Sequence, residues 1–311
     1  MSTPTIALLG AGTMGTNIAL DFAAHGFTVK LTDSIAAQLE KSRELARANA
    51  AILEKHGLLR EAAGEVLARI ENVPKLAEAV AGAELVVEAV PERLELKRQV
   101  FAELEKLCGH DTILASNTST FMPSMLAEGL RHPERLLVAH YWNPAHLLPL
   151  VELVPHPRTA PEVLERVRAL LLQCGKRPIV LKKEVLGFIG NRLAFALQRE
   201  AMDLVAKGVA SPEDIDAVAS TSFGRRIPVS GVFGTADLGG LDVYAAICDS
   251  IFPDLCADKG APAALKALVA RGRLGAKTGA GWRDYTAEEI ATLREALSAE
   301  LIRQAKRDRN S

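Results

Sequence analysis

A glycine-rich turn between two strand-like segments constrains the fold of this chain more than any other feature. An apolar segment at residues 5–9 leads into GAGTMG at residues 10–15, and a helical segment follows. A second apolar segment, residues 28–32, ends at Asp33, 18 residues beyond the last glycine. This order predicts a Rossmann-type, doubly wound α/β sheet that binds a dinucleotide at its first turn.

Each glycine of the turn has a predicted role. Gly10 permits the tight turn out of the strand, Gly12 lets a pyrophosphate approach the backbone, and Gly15 lets the helix pack closely on the strand. Thr13 and Met14 open the helix, where unpaired backbone N–H groups attract phosphate. These five positions are therefore predicted to bind the cofactor.

The acidic residue at the end of the second strand indicates which dinucleotide binds. The carboxylate of Asp33 can accept hydrogen bonds from both ribose hydroxyls, and it would repel a 2′-phosphate. No arginine follows it directly. The sequence therefore favours NAD over NADP.

Composition narrows the class of partner. The formal net charge of −1 gives no electrostatic reason to expect nucleic acid or an anionic membrane, and no apolar run approaches the ~20 residues of a membrane span. The chain also lacks a signal-like N-terminus, so a cytoplasmic protein is expected. Four cysteines form no CxxC pair and no metal-ligand spacing with histidine. We expect a small-molecule substrate and no metal.

The pattern along the chain predicts two domains. Strand-like and helix-like segments alternate over residues 1–186, with a charged helical hairpin inserted at about residues 36–69. Helical periodicity replaces this alternation over residues 187–311, where Ser211 and Pro212 give a helix start. The second domain is therefore predicted to be all-helical.

A histidine and a glutamate in residues 138–154 suggest proton transfer. His140 follows one predicted strand and Glu152 lies within the next, 12 residues later. Ligands of doubly wound sheets bind beyond the carboxyl ends of strands. Oxidation of a secondary alcohol needs a base for the hydroxyl proton, and a carboxylate on the other imidazole nitrogen would fix its tautomer. The alternative is a structural histidine and a solvent-facing glutamate.

Eight ordered segments, spread over nearly the whole chain, resemble those of the 3-hydroxyacyl-CoA dehydrogenase superfamily. They are GAGTMG (10–15), VVEAVPERLELK (86–97), ASNTST (115–120), HYWNP (140–144), LVELV (150–154), GFIGNRL (187–193), SPEDID (211–216) and GRLGAKTGAGW (272–282). The resemblance implies an NAD-dependent oxidoreductase of fatty acid metabolism that interconverts an L-3-hydroxyacyl-CoA and a 3-oxoacyl-CoA.

The resemblance also implies roles for nine residues. Four would form the catalytic site: His140 as base, Glu152 as its orienting carboxylate, Ser119 as hydrogen-bond partner of the reacting oxygen, and Asn191. Five would lie near the ribose and nicotinamide of NAD: Glu92, Lys97, Asn117, Asn143 and Lys277. Turn-forming, helix-capping or solvated roles are the alternatives for several of them.

Other stretches resemble a second branch of the superfamily, which includes lambda-crystallin and L-gulonate 3-dehydrogenase and oxidises free 3-hydroxy acids. Residues 148–161 and 182–193 follow that branch, whereas residues 272–282 are typical of the acyl-CoA branch. A small free 3-hydroxy acid or related alcohol is therefore the alternative substrate, and a crystallin-like structural protein is a second alternative.

Two places bear on the choice of substrate. Where acyl-CoA enzymes bind the thioester with a Ser and a Lys of the hairpin, this chain has Asn49 and His56, with Lys55 adjacent. Arg225 and Arg226 replace an uncharged turn, and one of them could pair with a free carboxylate. An exposed turn with solvated arginines is the alternative.

The resemblance further implies a homodimer joined through the helical domain. The apolar residues 227–241 could supply part of that interface. Retention of Ser119, His140, Glu152 and Asn191 together favours an enzyme over a structural protein.

Overall fold

The computed structural model describes residues 4–309 of the 311-residue chain. Eight strands within that range form one sheet: β1 (Thr5–Leu9), β2 (Thr28–Thr32), β3 (Ile70–Asn72), β4 (Leu85–Glu88), β5 (Ile113–Ser116), β6 (Leu136–Tyr141), β7 (Leu150–Val154) and β8 (Arg177–Val180). Their order is β3-β2-β1-β4-β5-β6-β7-β8. Neighbours pair parallel, except that β7 is antiparallel to β6. The predicted doubly wound sheet is confirmed.

Seven helices connect the strands or follow them closely in this part of the chain. They are α1 (Thr13–Ala24), α2 (Ala36–Lys55), α3 (Ala63–Ala68), α4 (Leu76–Val80), α5 (Leu94–Leu107), α6 (Pro123–Leu126) and α7 (Pro161–Gln173). A 3₁₀ turn, Pro133–Arg135, precedes β6. Helices α2 and α3 occupy the region of the predicted hairpin.

The helices that follow β8 form the C-terminal helical region that the sequence predicts. They are α8 (Gly190–Ala206), α9 (Pro212–Thr221), α10 (Phe223–Gly239), α11 (Leu241–Ile251), α12 (Ala263–Ala270) and α13 (Ala287–Arg309). Helix α9 begins with a capping box: Ser211 accepts from the backbone N–H of Asp214, whose side chain accepts from the backbone N–H of Ser211. No helix of residues 4–309 combines the length and apolarity needed to cross a membrane.

Side-chain alternation along the strands creates a core on both faces of the sheet. In β1, Ile6 and Leu8 belong to one buried cluster, and Ala7 and Leu9 belong to the other. The first cluster includes residues of α1, and the second includes Phe101 of α5. The sheet is therefore covered by helices on both sides, as its mostly parallel pairing requires.

The chain divides into two compact units, which differ from the predicted domains at the end of the chain. The described residues up to Asn191 and from Ser298 onward form the first unit, and residues 192–297 form the second. The last residues belong to the first unit because Ile302 is buried in one of its core clusters. The guanidinium of Arg309 also donates to the carbonyl oxygen of Leu58.

Candidate active site

Two glycines of the first turn have no room for a side chain. A Cβ on Gly10, whose φ is +98°, would lie 2.5 Å from the carbonyl oxygen of Ala89. A Cβ on Gly15 would lie 1.8 Å from the carbonyl oxygen of Gly10. The turn and the start of α1 therefore interlock, and both positions require glycine.

Gly12 differs from its two neighbours in the motif. No heavy atom lies within 4 Å of the position that a Cβ on Gly12 would take. Gly12 and Thr13 are exposed where α1 begins, and Met14 follows, half-buried. The open space lies at a helix N-terminus, where backbone N–H groups can bind phosphate. This backbone therefore fits the pyrophosphate of a dinucleotide.

Asp33 lies beside this turn at the end of β2. One of its carboxylate oxygens accepts from the backbone N–H of Ala11 at 2.8 Å, and the other accepts from Ile35 at 2.8 Å. Its side chain is half-buried. Asp33 therefore orients the glycine turn, in addition to the ribose-binding role predicted for it. The sequence pattern does not indicate this contact with the turn.

The strand pairing brings His140 and Glu152 together. They are direct partners across the antiparallel pair β6 and β7, so their side chains lie on the same face of the sheet. The Nδ1 of His140 lies 2.9 Å from the Oε2 of Glu152, and the two residues are 4% and 1% exposed. The predicted pair is therefore a buried hydrogen-bonded pair.

The Glu152 carboxylate is fully engaged with donors. Oε2 accepts from His140 and from the indole N–H of Trp142 at 3.3 Å, and Oε1 accepts from the backbone N–H groups of Ile189 (2.9 Å) and Gly190 (3.0 Å). Burial alone would raise the pKa of Glu152, but these hydrogen bonds, that of His140 foremost, outweigh burial and hold the pKa below its usual value. An ionised Glu152 fixes the proton of His140 on Nδ1.

The other imidazole nitrogen is therefore a proton acceptor. The Nε2 of His140 lies 3.2 Å from the Oγ of Ser119. The side-chain amide of Asn191 donates to the backbone oxygen of Ser119 at 3.1 Å. The structure thus brings together all four residues for which the resemblance implies catalytic roles.

Two aromatic residues enclose the imidazole and were not among the predicted site residues. The ring centroids of Phe188 and Trp142 lie 5.3 and 5.7 Å from that of His140. Phe188 is fully buried with a φ of +53°, a strained conformation for a side chain of this size. A Cβ on Gly190 would lie 2.4 Å from the Trp142 indole. The segments HYWNP and GFIGNRL contain these residues, but sequence alone does not reveal their contact.

Glu92 and Lys97, predicted near the cofactor, have internal partners. Lys97 is 1% exposed, and its ammonium lies 2.6 Å from a carboxylate oxygen of Glu88, 3.2 Å from one of Glu92 and 3.2 Å from the Val90 carbonyl oxygen. Glu92 also accepts from the backbone N–H of Ser119 at 3.2 Å. Both residues therefore brace the loop that positions Ser119.

Glu88 is the buried anion of this network. The hydroxyl of Ser116 donates to it at 2.6 Å, and the same hydroxyl accepts from the backbone N–H of Thr118. The Thr118 hydroxyl in turn donates to Glu92. Glu88, Ser116 and Thr118 were not predicted as site residues. A buried acidic residue at the end of a strand was the one signal that could have indicated them.

The remaining predicted residues lie in varied surroundings. Asn117 accepts from the backbone N–H of Tyr141 at 2.9 Å, which joins the ends of β5 and β6. The Asn49 amide donates to the side chain of Asn17 at 2.7 Å. The other predicted residues have exposed side chains: Asn143 after β6, Lys55 at the end of α2, and Arg225, Arg226 and Lys277 in the second unit.

Family comparisons match almost the whole chain. The NAD binding domain of 3-hydroxyacyl-CoA dehydrogenase matches residues 5–185, and the C-terminal domain of the same enzyme matches residues 187–285. Together these two matches span the sheet, the hydrogen-bonded relay of Glu152, His140 and Ser119, and most of the helical region.

The individual matches include dehydrogenases and lambda-crystallin homologs. A 5-formyl-3-hydroxy-2-methylpyridine 4-carboxylate 5-dehydrogenase of Mesorhizobium japonicum is 36% identical over 298 residues, which are 96% of each chain. A human lambda-crystallin homolog is 42% identical over 235 residues, 75% of this chain and 74% of the relative. The crystal structure of a 5-formyl-3-hydroxy-2-methylpyridine 4-carboxylic acid 5-dehydrogenase, an NAD⁺-dependent dismutase, covers 99% of both chains with a TM-score of 0.93 and 32% identity.

Proposed function

The chain belongs to the 3-hydroxyacyl-CoA dehydrogenase family and is an NAD-dependent dehydrogenase, and from that premise we propose that its substrate is a small free 3-hydroxy acid or related alcohol. The hydrogen-bonded series Glu152, His140 and Ser119 is the observation that carries the chemistry. It joins an ionised carboxylate to an imidazole whose free nitrogen faces a hydroxyl group.

The chain's own residues handle the proton. A substrate hydroxyl beside Ser119 gives its proton to the Nε2 of His140, and the ionised Glu152 stabilises the imidazolium that forms. Phe188 and Trp142 pack against the imidazole and exclude water from it. NAD, when bound at the open space beside Gly12, supplies the acceptor for the hydride that leaves the substrate carbon.

Three observations support a free acid as substrate. At the hairpin position where acyl-CoA enzymes have their thioester-binding Ser, the side-chain amide of Asn49 is hydrogen-bonded to Asn17. The relative that matches along 96% of its length acts, by its name, on a free pyridine carboxylate. The exposed guanidinium groups of Arg225 and Arg226 are suited to pairing with a carboxylate.

An L-3-hydroxyacyl-CoA is the second candidate, because residues 272–282 are typical of the acyl-CoA branch and the matched family domains are those of an acyl-CoA enzyme. A role in fatty acid metabolism follows only if the thioester is turned over.

Parallel assays separate the two substrates. NAD reduction is measured with a panel of free 3-hydroxy acids that includes L-gulonate, and NADH oxidation is measured with acetoacetyl-CoA, each repeated with His140→Ala. We expect turnover of a free acid that disappears in the variant. Rapid turnover of acetoacetyl-CoA with no response to any free acid would contradict the free-acid proposal and favour the thioester.

A pair of charge variants sharpens the result. Arg226→Ala removes an exposed cation of the second unit, and Lys55→Glu reverses an exposed charge on the hairpin. For a free acid we expect Arg226→Ala to raise KM roughly tenfold or more, because a charge-assisted hydrogen bond contributes about 1.5–3 kcal/mol. Lys55→Glu should leave that KM unchanged. The opposite pattern would indicate a CoA thioester.

We also infer that two copies associate through the second unit. Helix α10 exposes large apolar side chains there: Val229 is 86% exposed, Phe233 84% and Leu238 85%. Exposed apolar surface on this scale marks interaction sites in soluble proteins. A homodimer would cover it.

A further inference from the structure

A second polar cluster lies in the first unit, apart from the residues of the active site. A cavity of about 370 Å³ is lined there by Asp21 and His25 at the end of α1, by His146, and by Cys174 and Lys176 between α7 and β8. These residues take no part in the relay of His140. Three of them, Asp21, Cys174 and Lys176, are 3–6% exposed.

The cluster contains buried polar atoms without partners. Five buried side-chain nitrogen and oxygen atoms of residues 4–309 lack a hydrogen-bond partner, and two of them, Asp21 Oδ2 and His146 Nδ1, belong to residues that line this cavity. The hydroxyl oxygen of Tyr141 is a third, and the charges of Asp21 and Cys174 act on it. Burial, and then the neighbouring Asp21 and Cys174, raise the pKa of Tyr141 well above its usual value. Such a concentration requires an explanation, because buried polar groups are nearly always paired.

Lys176 cannot satisfy the second oxygen of Asp21. Its ammonium already lies 2.8 Å from Asp21 Oδ1, 2.6 Å from the carbonyl oxygen of Ala145 and 3.2 Å from that of Leu148. Three acceptors use all three of its N–H groups. Lys176 therefore leaves Asp21 Oδ2 available to a ligand in the cavity.

His25 is held with a lone pair available. Its Nδ1 lies 2.8 Å from the carbonyl oxygen of Asp21, which can only accept, so Nδ1 bears the proton. The lone pair is on Nε2, which lies 3.8 Å from the position of a Cβ on Gly175, next to Cys174. A backbone carbonyl bonded to one imidazole nitrogen is the arrangement that usually orients a metal-binding histidine.

The geometry points to a zinc site. A carboxylate oxygen of Asp21, a ring nitrogen of His25 and the thiol sulfur of Cys174 all lie within 4.8 Å of one another. Oxygen, imidazole and thiolate ligands are the set that Zn²⁺ binds in proteins. We propose that Asp21, His25 and Cys174 bind one Zn²⁺ ion, with a water molecule from the cavity as fourth ligand.

Zinc binding at this site would displace one proton. As the sulfur–zinc bond forms, the thiol proton leaves to solvent. The Cys174 thiolate and the Asp21 carboxylate then face Zn²⁺, and the Lys176 ammonium, 2.8 Å from Asp21 Oδ1, leaves the cluster with one excess positive charge. The ion would tie the end of α1 to the turn before β8, and so would stabilise the first unit.

Cobalt spectroscopy on the full-length, tag-free protein tests the proposal. Co²⁺ is titrated into metal-free protein, and Zn²⁺ affinity is measured by competition with a coloured chelator. We expect one metal ion per chain, a thiolate-to-cobalt charge-transfer band, and a higher melting temperature with Zn²⁺. Absence of the charge-transfer band in the unaltered protein would overturn the site without any variant being needed.

Variants assign the ligands. Cys174→Ser and His25→Gln should each weaken Zn²⁺ binding by at least about 100-fold, since even outer-shell changes cost 10- to 100-fold. Cys256→Ser, in the second unit, and His132→Gln are matched controls; His132 belongs to a surface group with His110 and Glu134 that could also hold a metal ion. Binding that is lost in His132→Gln and retained in Cys174→Ser would contradict the proposal. Circular dichroism confirms that each variant is folded.

Discussion

The two compact units of this chain bury their apolar residues to very different extents. The sheet unit has a core on both faces, in which residues such as Phe22 and Phe101 are fully buried. In the second unit, none of the described residues of α9 to α12 is buried, and α10 exposes Phe233 and Leu238 almost completely. The sheet unit therefore encloses a core of its own, whereas the helical unit exposes the apolar side chains through which we propose that two copies associate.

The two units also differ in the reactive side chains that they contain. All seven histidines of the chain lie between residues 25 and 156, so none belongs to residues 192–297. The relay of Ser119, His140 and Glu152 is complete within the first unit. Changes at the relay should therefore affect proton transfer, changes in the sheet core should affect stability, and changes on α10 should affect association; five variants test that expectation.

The largest effect is expected from His140→Ala. Removing the imidazole that we predict to be the base should lower kcat by about 10²- to 10⁴-fold, because the hydroxyl proton then has no positioned acceptor. NAD affinity should be unchanged. Steady-state kinetics and fluorescence titration measure the two quantities, with the exposed His132→Ala as matched control. A variant that keeps a tenth of the original kcat would mean that another group is the base.

Two phenylalanine variants compare the buried core of the first unit with the exposed surface of α10. Phe101→Ala should lower the free energy of unfolding by about 3–5 kcal/mol at any protein concentration, because it leaves a cavity in the sheet core. Phe233→Ala should cost much less on dilute protein, and its cost should grow with protein concentration as the dimer forms. Denaturant unfolding at two concentrations measures both. Equal, concentration-independent losses would refute the contrast between the units.

A charge on α10 should separate the copies. Leu238→Glu places a carboxylate on a residue that is 85% exposed, at the surface we propose for the dimer. We expect dissociation to become easier by at least about 30-fold, or about 2 kcal/mol, as at an interface hot spot. Light scattering after size-exclusion chromatography gives the mass. Leu107→Glu in the first unit, where Leu107 is 38% exposed, is the control, and a monomeric unaltered protein would rule out the dimer.

The smallest effect is expected from Trp142→Phe. The variant loses one donor to Glu152, so the lowered pKa of that carboxyl should rise toward its usual value. The acid limb of the kcat/KM profile should then move to higher pH, with a loss of only a few-fold near neutrality. Stability that depends on ionised Glu152 is present above its unfolded pKa and is lost as pH falls through the folded pKa. An unchanged profile would exclude an indole contribution.

The sequence predicts the sheet unit far better than it predicts the contacts at the site. Strands such as β1 and β4 are short apolar runs with clear ends, so local pattern suffices for them. The pairing of His140 with Glu152 also follows from adjacent strands. The contacts of Trp142 with Glu152 and of Lys97 with Glu88 join residues only 10 and 9 positions apart, but they depend on side-chain directions that the pattern of apolar residues does not give. No local signal distinguishes such a lysine from a solvated one.

The sequence pattern also does not predict that the residues from Ser298 onward join the first unit. Residues 287–309 form one continuous helix, and nothing in its periodicity indicates that Ile302 enters a core built from residues far earlier in the chain. Tertiary contact alone decides that assignment, just as it decides the three-residue strand β3.

The glycine turn has a consequence for how this sequence can diverge. Gly10 and Gly15 are fixed by collisions with the protein's own backbone, so any lineage that keeps the fold must keep both. Gly12 meets no protein atom, so only the ligand constrains it. A saturation library sorted for folded protein should accept alanine or serine at position 12, and the same library sorted for turnover should reject them. In a descendant that served only as a structural protein and no longer bound NAD, position 12 would therefore be the first of the three glycines to accept another residue.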